Sequence, residues 1–141
     1  MNGCDGGSKA VVELNDAVLE EVFSVMPDDM TVLFSHFNED AGQRLMAMGD
    51  AIARGDAEAL RRAAHSLKGG ALGVGAPSYA AACKTMEEFA QRGDLAEASR
   101  QLTGLQQQLG EVMTALAGWY RARKTATSGP EQALRCGSGD E

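Results

Sequence analysis

The sequence predicts an all-α protein: an antiparallel up-down four-helix bundle with an additional short N-terminal helix. Three observations carry that prediction. Aromatic residues are only 5% of the 141, so the core must be built from Leu, Val, Ala and Met, which suits helix packing better than strand stacking. Apolar residues recur at steps of three and four through four long stretches, and none alternates with the period of two that a half-buried strand needs. The breaks between those stretches are short, and short connections join antiparallel neighbours in a bundle.

Residues 1–10 are polar and glycine-rich and read as a disordered N-terminus. Leu14, Val18, Val22 and Val25 then predict a short opening helix, ended by Pro27. It is expected to pack over one end of the bundle; the alternative is that it binds a partner helix. Met30, Phe34, Phe37, Ala41, Leu45, Met48 and Ile52 mark an amphipathic helix of about seven turns. Gly55-Asp56 breaks the chain, with Asp56 placed to cap the next helix and Glu58 favourable in its first turn.

That next helix presents Leu60, Ala63, Ala64, Leu67 and Ala71 to the core and ends in Gly73-Val74-Gly75-Ala76-Pro77. Pro77 suits the first turn of the helix carrying Tyr79, Ala82, Cys83, Met86, Phe89 and Ala90. Gly93 stops it, and Asp94 with Glu97 has the spacing of a capping box. The last helix carries Leu95, Ala98, Leu102, Leu105, Leu109, Val112, Leu116 and Trp119. The residues divide into the 1–10 terminus, a helical domain over 11–123 and a flexible C-terminal tail over 124–141, where Ser, Thr, Gly and Pro130 gather.

The bulk numbers exclude several function classes. A net charge of −7 argues against a nucleic-acid partner, which favours a basic stripe. Cys4, Cys83 and Cys136 are odd in number and widely spaced, which disfavours both a disulfide framework and a metal site. No charged segment leads into an apolar run, and nowhere do 18 apolar residues stand together, so a cytoplasmic protein without a membrane partner is expected.

The informative stretch is Ala63-Ala64-His65-Ser66-Leu67-Lys68-Gly69-Gly70. With Leu60 at zero and 100° per residue, the apolar residues of this helix lie within about 60° of it, whereas His65 falls at about 140°. Arg61, Lys68, Gly69 and Leu72 share its face. A glycine inside a helix costs about 1 kcal/mol against alanine, and a purely structural helix has no reason to accept that beside a histidine. A neutral imidazole is a competent nucleophile near neutral pH. Lys68 and Arg61 favour its neutral form by like-charge repulsion and favour a phosphoryl dianion once attached. Gly69 gives access, and Leu72 offers an apolar contact.

Other signals read as structure. Gly69 to Gly75 lacks the spacing of a phosphate-binding loop and follows a helix instead of a strand. His36 has no partner histidine and reads as a surface residue. Asp28-Asp29 and Glu87-Glu88 diverge by about 100° and do not converge on one substrate. Met26, Met30, Met46 and Met48 read as gap-filling or partly exposed.

His65-Ser66-Leu67-Lys68-Gly69, preceded by Arg61-Arg62-Ala63-Ala64 and followed by Gly73 and Gly75-Ala76, resembles the histidine-containing phosphotransfer (HPt) domain of bacterial phosphorelays. The resemblance extends from roughly Asp28 to Arg121, including the breaks at Gly55-Asp56 and Gly93-Asp94-Leu95. It implies that His65 accepts a phosphoryl group from a receiver-domain phospho-aspartate and passes it to another receiver. Lys68 would steady that group, and Gly69 would clear space for the receiver. Arg61, Arg62, Leu72, Lys84 and Glu87 would form the partner-docking surface. Glu87 stands where several members have glutamine; a carboxylate there orients an imidazole but repels phosphate.

The resemblance further implies a monomeric phosphocarrier, not an enzyme, with no ATP site, metal or cofactor of its own. Mg2+ would belong to the partner: a response-regulator receiver, a hybrid sensor histidine kinase, or both. Two alternatives stay open at this point. The chain is a phosphoacceptor module from a larger chemotaxis-type or hybrid kinase, or it is a binding module that holds a receiver without transfer.

Overall fold

Five helices and no strand make up residues 12–136, the part described by this computed structural model. The helices are α1 (Asp16–Val25), α2 (Met30–Arg54), α3 (Ala57–Gly73), α4 (Pro77–Arg92) and α5 (Leu95–Cys136). Packing closes a ring: α2 lies against α3 and α5, and α4 lies against α3 and α5. The expected disorder of residues 1–10, and Cys4 with it, falls outside the described residues.

Local chemistry sets the helix ends. The Asp56 carboxylate accepts from the Ala59 N–H at 3.0 Å, and that of Asp94 accepts from the Glu97 N–H at 3.2 Å, each satisfying a donor that the first helical turn leaves free. Glu97 does not complete a capping box; its carboxylate pairs with Arg100 at 3.1 Å. Pro77 occupies the first turn of α4, where its missing N–H is harmless. Gly55 and Gly93 close α2 and α4 with φ near +71°, the left-handed cap that glycine adopts without steric penalty.

The core is the predicted one along α2 and α3. Met30, Phe34, Phe37, Ala41, Leu45 and Met48 are buried from α2, joined by Ala51, with Ile52 at the margin. All five predicted residues of α3 are buried. In α4 the stripe is Tyr79, Ala80, Cys83, Met86 and Ala90, with Ala82 and Phe89 only partly covered. Tyr79 donates its hydroxyl to the Leu105 carbonyl of α5 at 2.9 Å, which removes the penalty of burying that oxygen.

Two expectations change. In α1 the fully buried residue is Leu19, while Val25 is 74% exposed. The register of so short a helix is fixed by tertiary contacts instead of its own apolar repeat. Asn15 caps it, accepting from the Val18 N–H, and its own N–H donates to the Gly75 carbonyl at 2.8 Å. Trp119 donates to Asp16 at 3.0 Å, Arg123 pairs with Glu20 at 2.9 Å, and the Trp119 and Tyr120 rings flank Phe23. The opening helix thus covers one end of the core, against α5 and the α3–α4 turn.

The second change is at the other terminus. A tail was expected from Lys124, but α5 continues through Cys136. Extending an existing helix is far easier than nucleating one. Arg123 and Lys124 are also held at the expected break, Lys124 lying 3.7 Å from the Asp28 carboxylate and over the Tyr120 ring. No described helix is long and apolar enough to cross a membrane.

Candidate functional site

The α3 core stripe leaves His65 on the outward face, with its side chain 64% exposed. The neighbouring helix supplies what holds it. Glu87 lies one turn after Cys83 on the edge of the α4 core stripe, and it is the buried charged residue among those described. One carboxylate oxygen, Oε2, lies 2.9 Å from His65 Nδ1; the other, Oε1, lies 2.7 Å from Lys68 Nζ. Three side chains from two helices therefore form a single cluster, with Glu87 at its centre.

A carboxylate that is ionised only accepts hydrogen bonds. The imidazole proton therefore sits on Nδ1 and donates to Oε2, and the lone pair on Nε2 faces away from Glu87. The ionisation follows from the surroundings. Burial pushes the Glu87 carboxyl up, but hydrogen bonds from Lys68 and His65 and their charges outweigh it, holding it below the usual carboxylate range.

The sign of the stability effect follows. A depressed carboxyl contributes stability above its ordinary pKa of 4.5 and loses it as pH falls through the folded value. Glu87→Gln is therefore expected to lower the stability gap between neutral pH and pH 3. Denaturant midpoints at the two pH values check this; an equal gap in mutant and parent removes Glu87 from the account.

The other predicted residues fall into two groups. Arg61 and Arg62 both reach the Glu58 carboxylate, at 2.7 and 3.4 Å. The strip of free cations expected to act on His65 is thus neutralised, Arg61 by Glu58 and Lys68 by Glu87. Leu72 and Lys84 are exposed, as a docking surface needs. Glu87, expected on that surface, is instead buried beneath the histidine. At Gly69 an added Cβ would meet nothing within 4 Å, so the space that this glycine opens faces outward. Among the described residues no packing requires it.

Sequence reading missed the joint role of Glu87 and Lys68. A signal was present: Glu87 is i+4 from Cys83 on an otherwise apolar stripe, and a charge there needs a partner. Cys83 itself lies behind the cluster; burial, then the Glu87 charge, pushes its thiol up to about 12, which leaves it unreactive. His36 is exposed, as expected. Among the described residues no group of His, Cys, Asp and Glu is arranged to hold a metal ion.

The comparisons with known proteins meet this geometry. The family profile described as "Hpt domain" matches residues 32–119, which contain the whole cluster. The chain belongs to the Hpt domain family. A similar solved structure is the crystal structure of histidine-containing phosphotransfer protein B (HptB) from Pseudomonas aeruginosa PAO1. The two share 35% sequence identity with a TM-score of 0.71, over 78% of this chain and 96% of the other. No curated protein gives a significant match. As an Hpt domain, the chain is a histidine phosphotransfer protein of the phosphorelay type.

Proposed function

We propose that His65 is the phosphoacceptor of a two-component phosphorelay, taking a phosphoryl group from one receiver-domain phospho-aspartate and delivering it to the aspartate of another. The observation that carries this is the exposed imidazole whose Nδ1 is bound by a buried carboxylate, which leaves Nε2 unengaged by Glu87 on a helix face that also carries the open position Gly69. Nε2 attacks the phosphorus, the N–P bond forms, and the P–O bond to the receiver's aspartate breaks with its electron pair on the leaving carboxylate. No proton has to move: the ring gains a positive charge while Nδ1–H stays on Glu87.

Glu87 meets that charge as it develops. A hydrogen bond to a charged group contributes about 1.5–3 kcal/mol, or between one and about two powers of ten in rate. In-line geometry and Mg2+ come from the receiver, and this chain is the rigid holder. Arg61, Arg62, Leu72 and Lys84 form the rim that the receiver meets, and Lys68 steadies the arriving group.

The ring of helix contacts and the short turns support an antiparallel up-down bundle; in this reading the domain is a monomeric carrier that works in the cytoplasm. The carrier role needs no ATP site, metal or cofactor of its own, and a receiver domain, alone or within a hybrid sensor kinase, is its partner.

Mixing the protein with a phosphorylated, labelled receiver tests the reading. Label should pass to this chain as an acid-labile, alkali-stable adduct; binding without transfer would overturn the proposal in favour of a sequestering module. Gly69→Leu should keep the helix intact, because the site is open and leucine is a better helix former. The same variant should slow transfer by at least about tenfold, or 1.4 kcal/mol of lost access. A transfer rate equal to that of the parent would remove the steric role of Gly69.

A further inference from the structure

Lys68 and His65 compete for one carboxylate. Glu87 has two oxygens and both are taken, Oε1 by Lys68 at 2.7 Å and Oε2 by His65 at 2.9 Å. The Lys68 side chain is only 26% exposed, so the pair is shielded and an ammonium there draws strongly on the charge of Glu87. A lysine whose sole use is to wait for a phosphoryl group has no need of a buried partner.

We propose that Lys68 is a positioning residue that sets the hold of Glu87 on the His65 imidazole, weakening it at rest and releasing it in full when Lys68 turns to an arriving phosphoryl group. The second half rests on the phosphorelay reading; the first does not. Lys68 lies three residues from His65, one turn along the same helix face, so its ammonium can exchange partners without a backbone change. Once it leaves Oε1, the undivided carboxylate faces the ring as that ring becomes positive. The same lysine therefore serves the transfer twice, at the phosphoryl oxygens and through Glu87.

The other charged groups near Glu87 do not duplicate this. Arg61 acts on it through space from α3 but is hydrogen-bonded to Glu58. Cys83 stands behind it on α4 as a neutral thiol. Lys84, one turn earlier on α4 than Glu87, is exposed to solvent.

The test is a double-mutant cycle on the unphosphorylated protein, read by imidazole 15N shifts at a pH where the ring is neutral. These shifts report which nitrogen carries the proton. Lys68→Met should raise the ratio of Nδ1–H to Nε2–H tautomer by at least about threefold, the size of a partly screened charge effect. Glu87→Gln should lower the ratio. In the Glu87→Gln background, Lys68→Met should change it little, and Lys68→Arg should behave as the parent. An equal response to Lys68→Met in both backgrounds, or no response in either, overturns the proposal.

Partner exchange is read separately, by phosphorylating His65 with phosphoramidate and following the Lys68 side-chain amine signal. It should move on phosphorylation in the parent, and an unmoved signal sinks that half. Because the cycle uses unphosphorylated protein, it can succeed even if receiver transfer fails.

Discussion

His65→Gln should abolish phosphoryl acceptance while leaving the fold unchanged. The His65 side chain is mostly in solvent, so its replacement removes no core contact, and surface changes of this kind usually fall within about 0.5 kcal/mol. Glutamine can still donate to Glu87, so the buried carboxylate keeps a partner and the cluster survives. What disappears is a nitrogen lone pair, because the amide nitrogen of glutamine is delocalised and not nucleophilic. Transfer should fall to background, at least about a thousandfold, or 4 kcal/mol of barrier.

Label transfer from a phosphorylated receiver measures this, with circular dichroism as the check on folding. Ser66, exposed beside His65, provides a sharp counter-outcome. A label that persists in His65→Gln as an acid-stable, alkali-labile ester would place the chemistry on a hydroxyl and end the histidine reading.

The largest stability effect is expected at Gly75→Val. Gly75 has φ of +74°, and a Cβ there would lie 3.1 Å from Leu19 Cγ and 3.2 Å from the Asn15 carbonyl oxygen. A β-branched residue is poorly suited to the left-handed region, which costs about 1–2 kcal/mol for ordinary residues. The clash adds to this, because Leu19 is fully buried and the Asn15 carbonyl is backbone, neither free to swing away. A total loss of about 3 kcal/mol is expected, of which overpacking supplies about 1–2. That is a large part of the stability of a small domain.

The denaturant midpoint reports the loss. Trp119, the single tryptophan, reports its origin, since its indole N–H donates to Asp16 at the start of α1. Its fluorescence should shift as α1 loosens. The matched control is Gly118→Ala, where nothing lies within 4 Å of an added Cβ, and where helix propensity predicts a gain of up to about 1 kcal/mol. A midpoint for Gly75→Val equal to that of the parent would sink the docking of α1 through this turn.

The long elements were legible because each repeats its signal. The residues of α3 from Leu60 to Ala71 span several turns, so the core face and the outward placement of His65 followed from 3.6-residue geometry alone. Helix breaks were legible where the chemistry is local, as at Asp56, whose side chain caps the turn beginning just beyond it. The opening helix and its place were legible, but its buried face was not, because ten residues allow more than one apolar face. The choice of Leu19 over Val25 was made by Trp119, Arg123 and Gly75, which lie far away in sequence.

The same division runs through the site. Consecutive residues alone place a histidine on the wet face of a helix, a glycine one turn on, and a lysine beside it. Those are properties of one helix, and one helix is written in consecutive residues. The partners of Glu87 depend instead on how two helices pack. From sequence it was placed on a docking rim as a carboxylate that orients an imidazole but repels phosphate; the packing of α4 on α3 turns it inward, where one buried carboxylate is shared between Lys68 and His65. A charge on a core edge acquires its role from whatever the facing helix brings to it, and that pairing is not encoded in either helix alone.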